Sequence, residues 1–506
     1  MFTQRGAFFS AVFLMILVSC TSKDVDVPEL DPTPVNPAGA TTEQLIADSI
    51  FLFSKEIYYW QDRIGSVSYE TFNPRQYVTT NDPLATAKKV IEAVRAYNGH
   101  DKEKKYSYAE EYADAATSGK AATVQTDYGF EFEFGWKSRK IHTTYYEKDP
   151  DFDGYYVSFV YSKSDAGKKG VERGMKIYTL NNKQLQFTQT DYETLFDAVN
   201  NPSGSNQFRF IKYNGGVADT TDNITINSNS YTPNSVIHYS VGSTSGGNKF
   251  GYMVYKLFDK LADSQSDLDA AFAAFRNGGV KNVILDLRYN RGGYTITQDY
   301  VTNHLAPPGT SGTMYTCFYN TNLQANSYTL MKTRGNYNFA PTGGNVISFK
   351  IPGDAVAPTK LYIIVGTNTA SSSELLINNL RQKYGTNDMV LIGDNNTYGK
   401  PVGFFPVDLF EKVTFWTVSF MTRNSKNDSV SYAGFEPRYK VYDGIDKSWG
   451  DKTEDCVAAA LNLIDGATPV TSAIAQETIS RSVSSNKISV MRKQRLMDNM
   501  LFTKSE

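Results

Sequence analysis

The sequence predicts an α/β protein in which a helical stretch and a β-rich stretch precede the α/β layer. Three observations lead there. Residues 41 to about 115 place apolar side chains at spacings of three and four, the period of one helix face. From about residue 121 the period shortens to two, as in YGFEFEF at 128–134. Between about 235 and 465, apolar runs bounded by glycine alternate with helical patterns, which indicates strands and helices in layers. A chain of 506 residues is too long for one domain.

Residues 1–20 read as an export signal. Arg5 supplies a positive charge, and Ala7 to Val18 form an apolar run too short to span a bilayer. The run ends in LVSC, which resembles a bacterial lipobox, with Cys20 as the lipidated residue. The alternative is an ordinary signal peptide with a chance cysteine. A lipidated Cys20 implies a membrane partner through a lipid anchor and a place in the bacterial cell envelope. Residues 21–40 hold Pro28, Pro32, Pro34 and Pro37 and read as an extended linker.

The helical domain is expected over 41–118. Thr41 and Gln44 fit a capping box, and Ile46, Ile50, Phe53, Ile57 and Trp60 follow at helical spacing. Asp82-Pro83 marks a second start, an N-cap followed by proline, with Val90 and Val94 on its face. No pattern of catalytic residues is visible there.

The β-rich domain is expected over 119–230. Strands are predicted at 128–134, at 154–161 and around Ile177, with Asn181-Asn182 as a turn. Ala166, Gly170, Val171, Gly174, Met175, Ile177, Leu180 and Asn181 resemble the helix-entry and "gly-leu-x-x-gly-asp-x-ile" run of a PDZ domain. Met175 and Asn182 depart from it. The resemblance implies that Tyr128, Gly129 and Phe130 form a loop holding a peptide carboxylate, and that the strand around Glu131 and Phe132 accepts the peptide as an added strand.

In the third unit, 235–465, strands are predicted at 249–257, in VKNVILDL and LYIIVG, and at MVLIG, with helices at 266–279 and after TASSSE. A serine-rich turn between strand and helix reads either as an N-cap cluster or as a nucleophile. Three segments then occur in order: DLRYNRGG (286–293), TASSSE (369–374) and GDNNTYGK (393–400). They resemble "DLRxNxGG", "(S/T)ASASE" and "GExTxGK" of the C-terminal processing, or tail-specific, serine proteases. That resemblance implies a crotonase-like (ClpP/crotonase-type) α/β catalytic domain beside a PDZ domain. It implies Ser371 as nucleophile, Lys400 as general base, and an oxyanion hole from the backbone of Gly292, Gly293 and Ser372. Asp286 and Arg288 are expected to hold the local fold. A neutral Lys400 requires burial, because a free lysine titrates near 10.4. Relatives carry a Gln four residues after the lysine; Phe404 stands here, so Asn395, Asn396 or Thr397 is expected to orient the amine.

The resemblance implies a serine endopeptidase acting on exported polypeptides through their C-terminal tails. The alternative is an inactive, PDZ-containing peptide-binding lipoprotein on the same scaffold. No cofactor or metal is implied: His100, His142, His238 and His304 show no metal-ligand spacing, and no P-loop or dinucleotide pattern occurs. Fifty-one Lys and Arg against 53 Asp and Glu give no basic bias toward nucleic acid. Beyond Cys20 only Cys317 and Cys456 remain; they could form one disulfide, but nothing requires it. Residues 466–506 read as a polar C-terminal tail.

Overall fold

The computed structural model describes residues 39–112, 124–142, 147–214, 217–469 and 471. The signal peptide, Cys20, the linker up to residue 38 and nearly all of the polar tail lie outside them. Helix α1 (Thr42–Ile57) starts at a capping box between Thr41 and Gln44. In α2 (Pro83–Arg95) the Asp82 carboxylate accepts the Ala85 N–H at 2.8 Å, with Pro83 at the first helical position. A short helix α3 (Gly99–Lys104) leads into β1 (Tyr108–Glu111), which pairs antiparallel with Val413–Trp416. The apolar faces of α1 and α2 do not close a core of their own. Ile50, Phe53 and Val90 belong to one buried cluster with Met253, Leu285, Phe404 and Phe415 from the α/β unit.

The β-rich unit is a twisted sheet in the order β2 (Phe130–Trp136), β3 (Phe152–Val160), β4 (Lys176–Leu180), β5 (Ser205–Asn214), β6 (Val217–Thr220). Alternation sends Phe130 into its core with Val157, Ile177, Phe208 and Leu195 of α4 (Gln189–Asn200). Strand β2 is the sheet's edge.

The α/β unit holds a six-stranded sheet. Its order is β7 (Val236–Ser243), β8 (Lys249–Tyr255), β9 (Asn282–Asp286), β10 (Lys360–Val365), β11 (Met389–Gly393), then Tyr439–Lys440. Only the β7–β8 pairing is antiparallel. Helices α5 (Leu261–Asn277), α6 (Thr295–Leu305) and α7 (Ser372–Leu380) lie on one face, where Leu268, Val301 and Leu376 share the large core. Helix α8 (Asp455–Ile464) covers the other, with Val457 and Leu461 against Tyr252 and Ile284. Both faces are buried, as parallel sheets require. Helix α5 begins at Leu261, earlier than the apolar spacing alone suggested. Cys317 and Cys456 are free thiols. Among the described residues no helix is long and apolar enough to cross a membrane.

A buried ion network joins the β-rich unit to this sheet. Arg288 binds Asp286 and Glu454 through paired contacts and Asp443 at 2.7 Å. Arg173, from the β-rich unit, reaches Asp443 at 2.8 Å and the Tyr289 hydroxyl at 2.9 Å. Burial pushes the Asp443 carboxyl up, but the Arg288 and Arg173 guanidiniums outweigh it and hold it at about 2. Asp286 and Arg288 thus hold the fold as expected, and they do so across two units rather than locally.

Candidate active site

Parallel pairing decides what meets. Strands β9, β10 and β11 are neighbours in register, with Asp286 beside Ile364 and Ile364 beside Ile392. Their C-terminal ends therefore deliver DLRYNRGG, TASSSE and GDNNTYGK to one rim, where α/β sheets place their chemistry.

The three serines have separate tasks. Ser372 Oγ donates to the Gly293 carbonyl at 2.6 Å, and Ser373 Oγ donates to the Asn290 carbonyl at 3.1 Å. Both pin the glycine turn to α7. Ser371 Oγ is buried and, among the described residues, has no hydrogen-bond partner. Ser371 sits at φ 57°, ψ −116°, a conformation costly for a residue with a Cβ. The strand-to-helix turn imposes it. The helix N-terminus behind it favours negative charge developing nearby.

Gly292 explains the glycine pair. At φ +102°, any Cβ there would come within 2.7 Å of Ser371 Cβ and 3.0 Å of the Ser372 nitrogen. The turn is thus pressed against the candidate nucleophile. The Gly292 N–H, however, donates to Asn290 Oδ1 at 2.8 Å. Among the described residues, the Gly293 and Ser372 N–H groups have no such partner. Of the three expected oxyanion donors, Gly292 serves the loop in this conformation, because the Asn290 side chain closes the turn on itself.

Lys400 is buried, with 2% of its surface exposed. Burial drives its amine well below the ordinary lysine range, while the Glu374 and Asp101 carboxylates act in the opposite direction. The amine lies 4.0 Å from the centre of the Phe404 ring. The ring is a shelf at the position where relatives carry an amide. Of the residues expected to orient the amine, Thr397 and Asn396 also serve other partners. Thr397 Oγ1 donates to Glu374 and accepts the Phe435 N–H at 2.7 Å, and Asn396 bonds Ala433 and Lys440. Their loop is folded against residues 432–435.

Glu374 was missed by motif reading alone. Its carboxylate accepts the N–H groups of Ser371 (3.0 Å), Gly399 (2.7 Å) and Lys400 (2.8 Å) and the Thr397 hydroxyl (2.5 Å). One buried side chain thereby ties the candidate nucleophile's backbone to the candidate base's backbone. Burial pushes its pKa up and these donors pull against that. The Ser-x-x-Glu spacing of a capping box was the available signal. The helical segment also contributes: the Tyr106 hydroxyl donates to the Gly399 carbonyl.

At the β-rich unit, the Gly129 N–H donates to Asp127 Oδ1 at 2.7 Å, and the carbonyls of Tyr128 and Gly129 accept from Ala166 and Tyr161. Phe130 pairs with Val160 in the sheet. A peptide carboxylate at this loop would have to displace Asp127. A solvent-open cleft runs from Glu133 and Trp136 of β2 to Thr367, Asn368, Asp394 and Asn395 at the sheet rim; Ser371 and Lys400 are not in its lining. Among the described residues no group of three His, Cys, Asp or Glu side chains could hold a metal ion.

Residues 249–441 match the model of Peptidase family S41. The chain carries an S41 peptidase domain. That S41 domain spans the β8–β11 sheet and all three rim segments, and it supports a peptidase. Among solved structures, a protein named as a "Putative S41 protease" from Bacteroides fragilis NCTC 9343 shares the fold at TM-score 0.58 and 20% identity. The likeness covers 83% of this chain and 97% of that one. The photosystem II D1 C-terminal processing protease aligns more loosely, at TM-score 0.42 and 16% identity over 79% of this chain and 93% of its own. No curated protein matches the sequence.

Proposed function

We propose that the protein is a serine endopeptidase of the C-terminal processing class, working through Ser371 and Lys400. The observation that carries this reading is Ser371: its hydroxyl is buried and unpartnered among the described residues, its backbone is strained at the turn, and its N–H is tied through Glu374 to the backbone of a desolvated lysine. The uncharged Lys400 amine takes the Ser371 proton as the oxygen attacks a peptide carbonyl. The N–H groups of Ser372 and Gly293 receive the developing oxyanion. The protonated amine returns its proton to the leaving nitrogen, and water then hydrolyses the acyl-enzyme by the same route. The substrate is a polypeptide. Its C-terminal tail lies along the open edge of β2 in a PDZ-like unit, and the cleft leads it to the rim. A lipid at Cys20 holds the enzyme at the bacterial cell envelope.

A second reading is favoured by Phe404 and by the self-bonded Gly292 N–H: an inactive peptide-binding lipoprotein. A fluorophosphonate probe separates the two. Covalent labelling of Ser371, absent in Ser371→Ala, is the expected result; no labelling of folded protein, with or without peptide, supports the binder. Comparing envelope protein termini between wild type and Ser371→Ala would then identify substrates.

A further inference from the structure

We infer that the segment 101–108, from the end of α3 to the start of β1, is a positioning element for the Lys400 amine. This rests on the Ser371–Lys400 reading above and assigns a role to a segment that carries no catalytic motif.

Three sets of contacts place it there. First, the two residues before Lys400 are held from this segment. The Tyr106 hydroxyl donates to the Gly399 carbonyl; Lys104 Nζ donates to the Tyr398 carbonyl at 3.3 Å, and the Tyr398 hydroxyl returns a bond to the Lys104 carbonyl at 2.8 Å. Second, the edge of the Tyr108 ring meets Phe404 at 5.9 Å and 89°, and Phe404 is the shelf under Nζ. Third, Asp101 is fully buried beside the lysine pocket. It accepts from the Tyr58 hydroxyl at 2.9 Å, the Ser107 N–H at 2.9 Å and the Ser107 hydroxyl at 2.7 Å. Its charge acts on the amine together with that of Glu374 from α7.

The electrostatic logic is a balance. Burial alone makes the amine hold its proton poorly, while nearby carboxylates make it hold the proton better. A base must release and regain a proton in each half-reaction, so neither extreme serves. Burial pushes the Asp101 carboxyl up; the Ser107 and Tyr58 donors and the Arg95 guanidinium pull against that and favour its charged form, with Arg95 Nη1 on the Ser107 carbonyl at 3.2 Å. Other titratable groups packed on this segment are the phenols of Tyr58, Tyr106, Tyr398 and Tyr432 and the Lys104 amine. Contacts that only held the fold would leave the amine's proton affinity alone.

The test uses the full-length protein with lysine labelled at 13Cε, the Lys400 signal being the one lost in Lys400→Arg. Asp101→Asn removes a carboxylate, so the Lys400 titration moves to lower pH. Tyr106→Phe releases the Gly399 carbonyl and admits water to the pocket, so the titration moves to higher pH. Phosphonylation of Ser371 by a fluorophosphonate falls about tenfold in Tyr106→Phe, the equivalent of one hydrogen bond. Thermal unfolding identifies a variant that has not folded; should Asp101→Asn fail, Tyr106→Phe decides alone. An unmoved Lys400 titration in the folded variants overturns the inference. Opposite shifts in a wild type that no fluorophosphonate labels would uphold the positioning role and reject the peptidase reading instead.

Discussion

The turn at Ser371 and the pocket of Lys400 solve opposite problems. The nucleophile is built from neighbours: a strand, three serines and a helix, with Glu374 three residues on and the glycine turn brought alongside by parallel pairing. The base is built from afar. Its carbonyl neighbours are held by residues 104 and 106, its shelf by Phe404, its clamp by Glu374, and its loop by residues 432–435. Holding a hydroxyl without a partner at a turn takes local strain, which a short segment can store. Drying an ammonium takes walls on every side, which only distant segments can supply.

Four expectations break or sharpen this contrast. The largest effect is removal of either partner. Ser371→Ala and Lys400→Met should each lower Ser371-dependent peptide hydrolysis by about 10³-fold or more, measured as kcat/KM. Lys400→Met should also raise the melting temperature at neutral pH. The sign follows from linkage: a lysine whose folded pKa lies below its unfolded value binds more protons when unfolded, so it destabilises the fold below the unfolded pKa. The gain should shrink as pH rises toward the ordinary lysine value.

Next, Gly292→Ala should lower kcat about 10²-fold with little change in KM. Its Cβ would meet Ser371 at 2.7 Å, and φ +102° is strained for alanine. Glu374→Gln tests the tie between the two regions. It offers an amide nitrogen where N–H groups must be accepted, so labelling should fall about tenfold while secondary structure by circular dichroism persists. The smallest effect is in the ion network behind the rim. The Asp443 carboxylate, held at about 2, stabilises the fold fully above its unfolded pKa near 3.9, and the contribution disappears as pH falls through 2. Acid unfolding should therefore steepen over that window, and less so in Asp443→Asn.

Much of the α/β unit was legible because its strands and helices announce themselves by period and glycine, and because the rim motifs sit directly at strand ends. The caps at Thr41 and Asp82 were readable for the same local reason. What could not be read was long-range. Nothing in the spacing of Ile50, Phe53 and Val90 says that they share a core with residues more than three hundred positions away. Asp101 and Tyr106 carry no motif because their partners lie near residue 400. Phe404 was visible as a departure, but that its ring would underlie the amine depends on the strand pairing that turns it inward.

The account stands on a dry, uncharged lysine serving a serine. The most direct measurement is the rate of Ser371 phosphonylation as a function of pH in wild type and Lys400→Met. The account predicts a single rise, complete below the pH at which free lysines titrate, and its disappearance in the variant. A rate that is zero throughout, or a profile that Lys400→Met leaves unchanged, would contradict it.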